Sequence, residues 1–398
     1  MAQTAAPTPS LFAPITAFGQ NLANNGIFLK LGYIEDLSSL VAGGQKTGTM
    51  PIGQLYAGVV FDLQTIMGIS GASIHIGLDE RNGRSIDTIA GNPSGLLQSD
   101  AGPFRTRLSY FYWEQGFDHD RLDVILGRVN PTEDFAVSDI SCSFVGILCS
   151  QPTSWYFNNA DVPYPSAAWG SRVNFLLTPD IYLRAGVYLH DSTAGEFQNA
   201  GFNWNFEHTQ GAFVPVEIGY QTNFNNARYP AKYDLGFYED TASYAQPNGQ
   251  PGERHAVWAQ FEQAVWRPDR ATNQSLSVFG GALVYSGNSP NWGEYYLGVL
   301  DRGPFATRPH DTIGLVADVI ANNSAVRPNK PTQETFELNY GISVAPGLTV
   351  KPYTQYVIAP TNADSPLGSS QPKDAWVVGV QVVINVAELL HLPQFVAH

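Results

Sequence analysis

The connections between the predicted strands alternate in length along almost the whole chain, and this alternation constrains the fold more than any motif. Alternating apolar and polar residues, bounded by turn residues, predict about 16 strands from Gly26 onward. Short turns such as Thr178-Pro179-Asp180 follow the even-numbered strands. The connections after the odd-numbered strands are mostly long, and we place them at 35–51, 81–103, 129–166, 191–210, 241–252, 321–331 and 359–374.

Short turns at one end and long loops at the other are typical of bacterial outer-membrane barrels, which also have an even number of strands. A soluble β-sandwich has no reason to sort its loops in this way. If the first strand runs outward, both termini lie on the periplasmic side. We therefore predict an all-β fold, a 16-stranded antiparallel transmembrane β-barrel.

Composition agrees with a barrel in a membrane. Charged residues make up 14% of the chain, against about 25% in soluble domains. No run of 18 apolar residues is present, so a membrane-spanning form of this chain must be a closed barrel whose backbone groups pair with each other. In the last predicted strand, Trp376, Val378 and Val380 lie on one wholly apolar face, which we expect to contact lipid.

The chain ends are less regular than the barrel. We divide the chain into a periplasmic lead-in at 1–25 with a short helix near Ile15–Leu22, a barrel at 26–387 and a tail at 388–398. The start resembles a mature N-terminus, so we expect export to the outer membrane after cleavage of a signal peptide that is not part of this chain. The net charge of −14 argues against nucleic acid as a partner.

The segment from Val129 to Pro165 has no sustained strand or helix period and contains both cysteines. Long structureless segments inside compact domains are usually functional. We predict that this third extracellular loop folds inward into the barrel.

Several motifs resemble the carbohydrate-selective porins of the OprB family. They are GGQKTG (43–48), RNGR (81–84), LSYFYWEQGF (108–117), DVILGRVNPTEDFAVSD (123–139) and the paired cysteines of the third loop. The resemblance implies a 16-stranded barrel that passes glucose and other sugars across the outer membrane, with no cofactor. The tail beyond the last strand departs from barrels that end at or near a terminal aromatic residue.

Sugar selectivity needs polar groups that replace the water around hydroxyls, together with aromatic rings for the apolar sugar faces. We expect arginines on the early strands to face carboxylates on the inserted loop, although the same arginines could serve only to hold the loop. Trp155 is a candidate stacking platform, and Trp113 shares a predicted face with Arg107. The candidate constriction residues are Asp79, Arg81, Arg84, Arg105, Arg107, Trp113, Glu133, Asp134, Trp155, Arg172 and Arg184, with Asp139, Asp161 and Tyr156 also on the loop.

Cys142 and Cys149 are the two cysteines of an exported chain, and such pairs most often form a disulfide. A metal site is the competing interpretation, but no histidine lies nearby to complete it.

Three functions remain open from the sequence. The first is a passive sugar porin in the lipid bilayer, in contact with lipopolysaccharide and as a single barrel or a homo-oligomer. The second is a general or anion-preferring porin, because an arginine cluster also attracts anions. The third is a hydrolase or a soluble sugar-binding sandwich. Asp79 and Glu80 cannot form its acid–base pair, because adjacent strand residues point to opposite faces.

Overall fold

The computed structural model describes residues 12–91, 96–97, 105–146, 149, 151–158, 164–245, 250–326, 332–360 and 372–396. The strands are β1 (Ile27–Gly44), β2 (Gly48–Asp62), β3 (Ala72–Gly83), β4 (Arg107–Phe117), β5 (Leu122–Val129), β6 (Ala168–Thr178), β7 (Ile181–Asp191), β8 (Thr209–Gln221), β9 (Ala231–Ala245), β10 (Pro251–Trp266), β11 (Ser275–Tyr285), β12 (Asn291–Arg302), β13 (Thr312–Asn322), β14 (Gln333–Ala345), β15 (Leu348–Ile358) and β16 (Lys373–Asn385). Each strand pairs antiparallel with its neighbours in sequence, and β1 pairs with β16. The predicted 16-stranded closed barrel is confirmed.

Short helices lie at the chain ends and in the connections. They are α1 (Ala13–Asn24), α2 (Leu63–Met67), α3 (Asp87–Ala90), α4 (Thr153–Asn158) and α5 (Val386–Leu389), with 3₁₀ turns at Pro131–Glu133 and Ser141–Ser143. None of these described helices has the length and apolar character needed to cross a membrane.

The two faces of each strand differ as the alternation predicts. On β16, the Trp376 and Val380 side chains are exposed on the outer wall, whereas Val377 and Gln381 are fully buried inside the barrel. The outer wall is therefore apolar, and polar side chains point into the barrel, as expected for a barrel in lipid.

Two of the predicted long connections are wrong. The predicted loop at 35–51 is a hairpin, because β1 continues to Gly44 and β2 begins at Gly48. Polar residues in this stretch indicated a loop in the sequence. In the structure Asp36 and Ser38 are buried on the inside of the wall, where Asp36 accepts a hydrogen bond from Gln381 Nε2 at 3.2 Å. Likewise, the predicted loop at 241–252 shrinks to 246–250 between β9 and β10.

The connection at 130–167, called loop 3 below, reaches across the inside of the barrel. Its backbone amides donate to four glutamates on β8, β10, β12 and β14, the strands called the far wall below. Ala136 N donates to Glu217 at 2.9 Å, Ile140 N to Glu262 at 3.1 Å, Thr153 N to Glu294 at 2.9 Å and Val145 N to Glu337 at 2.8 Å. Such contacts with lumenal side chains require the loop to fold inward.

Candidate functional site

A cavity of about 530 Å³ lies between loop 3 and the wall formed by β1 to β6. Its lining combines cationic, anionic and phenolic side chains. The polar and aromatic lining residues are Lys30, Gln54, Tyr56, Arg81, Tyr110, Tyr112, Asn130, Thr132, Glu133, Asp134, Gln151, Tyr164 and Arg172. Of the candidates from the sequence, Arg81, Glu133, Asp134 and Arg172 line this cavity.

Arg172 on β6 joins the wall to loop 3. Its Nε donates to Asp134 Oδ1 at 3.1 Å, and its Nη1 donates to Asp123 on β5. Both carboxylates hold the guanidinium in one orientation, because charge-assisted hydrogen bonds are the stronger and more directional ones. The paired charges present fixed donors and acceptors at the loop edge with little net charge.

Arg81 and Asp79 form a second fixed group on β3. Arg81 Nε lies 3.5 Å from Asp79 Oδ1, and the other carboxylate oxygen accepts from Gln54 Nε2 at 2.7 Å and from the Tyr164 hydroxyl at 3.0 Å. The Arg81 guanidinium also lies 5.9 Å from the centre of the Tyr164 ring. Loop 3 is thus tied to the β3 wall through Tyr164, and Asp79 and Arg81 are both buried.

Tyrosine rings cover much of the remaining wall. Tyr110 lies flat over Gly77, where a Cβ atom would come within 2.3 Å of the ring. A larger residue at position 77 would push the ring into the channel. Tyr112 stacks on His75 with ring centres 4.6 Å apart. These rings offer apolar faces with polar tips, which suit a sugar ring with its hydroxyls.

Glu133 on loop 3 is exposed and lines the cavity. Enclosure by the barrel, with the neighbouring Asp134 carboxylate as the second cause, raises the pKa of Glu133 to about 7. Glu133 can therefore change its charge near neutral pH.

Arg184 on β7 points into the barrel but does not line the cavity. It donates to the backbone carbonyl of Asp134, and its Nη1 lies 3.8 Å from Glu217 Oε1. The Arg184 side chain therefore helps to hold loop 3 in place. Asp139 is exposed and accepts from Gln221 Nε2 at 3.4 Å, so it does not line the cavity either.

Three of the candidate arginines lie away from the cavity. Arg107 is fully buried and donates to the carbonyls of Ala194 and Asn199 at 2.8 and 2.6 Å. Arg105 donates to the carbonyl of Phe197 and stacks over its ring. Both hold the connection at 192–208. Arg84 is exposed just beyond the end of β3. The expected gathering of arginines at the constriction is therefore wrong for these three.

The predicted face of Trp113 is also wrong. β3 and β4 pair as Gly77 with Tyr110 and Leu78 with Leu108, so Ser109 is an extra residue in a bulge. A bulge reverses which side each following residue faces. Trp113 is therefore exposed on the outer wall, at 38% of its surface.

Trp155 on α4 is fully buried, so the expectation of an open stacking platform is wrong. Its ring lies 5.1 Å from the Trp258 ring and 5.4 Å from the Tyr238 ring. This apolar cluster fixes α4 against the far wall. Tyr156 has no described side-chain surroundings, and Asp161 lies outside the described residues.

Cys142 and Cys149 form a disulfide with an S–S distance of 2.05 Å. The metal interpretation of these two residues is thus excluded. The ring that they close includes Val145 and Gly146, whose backbone amides donate to Glu337 at 2.8 and 3.0 Å.

The sequence reasoning missed the four glutamates that hold loop 3 and the tyrosines that line the cavity. A signal was present for the glutamates: Glu217, Glu262, Glu294 and Glu337 lie one each on β8, β10, β12 and β14. A lumen-facing carboxylate repeated on every second strand indicates a common binding partner inside the barrel, because a water-filled lumen alone does not require such a repeat. The tyrosines of the cavity are not among the candidates that the sequence analysis names.

Comparison with known proteins agrees with this geometry. Residues 46–385 match the family model for the carbohydrate-selective porin, OprB family. The chain belongs to the OprB family of carbohydrate-selective porins. As a member of this family it is an outer-membrane protein that functions as a sugar porin.

Individual relatives cover nearly the full length. Porin B of Pseudomonas aeruginosa is 28% identical over 409 residues, which covers 91% of this chain and 88% of the relative. Putative porin QuiX of Acinetobacter baylyi is 25% identical and covers 84% and 82%, respectively. The high-pH structure of Pseudomonas putida OprB superposes with a TM-score of 0.85 at 23% identity, over 96% of this chain and 100% of that one. This last likeness supports the fold.

Proposed function

We propose that neutral sugars pass through this porin by passive diffusion, and that the cavity between loop 3 and the β1–β6 wall is the constriction at which they are selected. The observation that carries the proposal is the combination of paired charges with open tyrosine rings in one cavity of about 530 Å³. Pockets of about 300–1,000 Å³ suit small ligands, so a mono- or disaccharide fits in size.

The charges in the cavity suit neutral solutes. Arg172 faces Asp123 and Asp134, and Arg81 lies beside Asp79. Because each arginine is neutralised by a neighbour, the cavity offers hydrogen-bond donors and acceptors without a strong net field. A hydroxyl can exchange its water for these groups, whereas an ion gains little. Binding that is favourable but weak permits both entry and release.

The tyrosines supply the second element of selectivity. Tyr110 and Tyr112 on β4 and Tyr56 on β2 present ring surface to the cavity. A pair of aromatic rings gains about 0.5–1.5 kcal/mol beyond its buried area, and we take a sugar–ring contact to be of the same order. One or two such contacts give the weak, reversible binding that a diffusion channel needs.

Single-channel conductance in a planar bilayer tests the proposal, with glucose, a disaccharide or a charged solute titrated into the bath. We expect concentration-dependent block of the ion current by neutral sugar. Arg81→Ala and Tyr110→Ala should weaken the block, because each removes a group that lines the cavity. A matched control is Arg84→Ala, which removes an exposed arginine near Arg81 but outside the cavity. Current that is indifferent to sugar would refute the proposal.

An anion-preferring porin is the alternative to compare. It predicts that chloride carries most of the current at low salt and that Arg81→Ala reverses the preference. Reversal potentials in a salt gradient measure this directly. We expect a preference close to neutral, because carboxylates match the arginines of the cavity.

The wider assignments also remain proposals. We infer a non-catalytic channel in contact with lipid and lipopolysaccharide, as a single barrel or a homo-oligomer. We also retain the division into a lead-in at 1–25, a barrel at 26–387 and a tail at 388–398.

A further inference from the structure

The C-terminal tail does not trail away from the barrel. Thr16 Oγ1 on α1 donates to the carbonyl of Leu390 at 2.8 Å. Gly19 on α1 is buried against the tail, because a Cβ atom there would come within 2.5 Å of Leu392 Cδ2. The N-terminal helix thus holds the tail in a fixed position at the periplasmic end.

The held tail places Phe395 against the inner wall of the barrel. The Phe395 ring lies 5.4 Å from the Phe28 ring near the start of β1, and 5.8 Å from the His75 ring on β3. Phe28 shares its strand face with Lys30, which lines the cavity. His75 is only 3% exposed and stacks on Tyr112, another lining residue. Phe395 therefore lies inside the periplasmic mouth rather than on the outer wall.

These rings continue the aromatic surface of the constriction. Tyr112 lines the cavity, His75 stacks on it with an interplanar angle of 10°, and Phe395 meets His75 edge-on at 80°. The order of the rings runs from the constriction toward the periplasm. Phe395 is half-buried, so part of its ring remains open to the mouth. By contrast, the next residue, Val396, is 75% exposed.

We propose that the tail forms a second narrowing of the channel at its periplasmic mouth, and that Phe395 is a further sugar-contacting residue there. The inference rests on the proposed sugar passage. An aromatic ring at the mouth lets a sugar leaving the constriction exchange one ring contact for another before it enters bulk water. The tail also narrows the path of ions.

The test uses single-channel recording of the full chain, with the barrel inserted from one chamber and glucose or maltose added to either side. Phe395→Ala should raise the open conductance. It should also weaken the block by sugar from the periplasmic side about two- to tenfold, the range that corresponds to the loss of one aromatic contact. Gly19→Leu should produce the same two changes, because its side chain displaces Leu392 and moves the tail while Phe395 is retained. Val396→Ala is the matched control and should behave as the wild type.

The outcomes separate this inference from the function on which it rests. If sugar does not block the wild type, the proposed function itself fails. If sugar blocks the wild type and both tail variants equally from the periplasmic side, the inference about Phe395 is overturned. A shift of a variant on unboiled gels confirms that its barrel has folded, so that a change in conductance is not a folding defect.

Discussion

The glutamates behind loop 3 give the sharpest prediction, and Glu337 is the best place to test it. Its carboxylate is 2% exposed and accepts from Val145 N at 2.8 Å and Gly146 N at 3.0 Å. Hydrogen bonds to a charged group contribute about 1.5–3 kcal/mol each. Glu337→Ala therefore removes about 3–6 kcal/mol from the local attachment of the loop.

The loss should remain local, because Glu217, Glu262 and Glu294 still hold other parts of loop 3. A loss of about 3 kcal/mol raises the population of a locally released segment by about a hundredfold. We expect noisier single-channel current, more substates and weaker sugar block. The mean conductance should rise if the released segment leaves the constriction.

Planar-bilayer recording of Glu337→Ala against Glu334→Ala provides the assay. Glu334 lies three residues away on the same strand and on the opposite, outer face. It therefore controls for the loss of a carboxylate from β14. A Glu337→Ala channel with wild-type noise, conductance and sugar block would refute the idea that the glutamates hold the loop.

Three further predictions concern single residues. Trp155→Ala should lower the stability of the folded barrel by about 3–5 kcal/mol, seen as a lower temperature for loss of the folded band on gels, and an unchanged temperature would contradict its burial. Trp113→Ala should leave sugar block unchanged in bilayer recordings, because that ring faces outward; a weakened block would contradict the bulge at Ser109. The channel should become more cation-preferring as pH rises through about 7, because Glu133 then loses its proton; reversal potentials measure this, and Glu133→Gln should flatten the dependence.

The barrel was predictable because lipid imposes rules that a sequence must display. Every strand needs an apolar outer face, and every connection must lie at one end or the other. The stretch at 35–51, which we predicted as a loop and which forms a hairpin, shows the limit of these rules. Polar residues such as Asp36 and Ser38 suit a loop and an inner wall equally. Only their side-chain hydrogen bonds with Gln381 and Tyr353 show that they belong to the inner wall.

The site was predictable only in part, because side-chain direction depends on register. One extra residue at Ser109 was enough to turn Trp113 outward, and no local composition marks such a bulge. The prediction for Trp155 was wrong for another reason. Its polar neighbours in sequence suggested an open loop, whereas in the barrel the same segment packs against Trp258 and Tyr238. Sequence neighbours do not reveal what lies across a barrel.

Loop 3 shows how a channel can be both rigid and weakly binding. The glutamates hold its back to the far wall, while Arg172 and Tyr164 tie its front to the near wall. A loop fixed on both sides loses little conformational entropy when a solute arrives, so weak contacts are sufficient for selection. The arginines that face the solute are already paired, so their hydrogen-bond donors keep fixed positions without a strong electric field. We therefore expect substitutions behind the loop to degrade selectivity as much as substitutions that line the cavity.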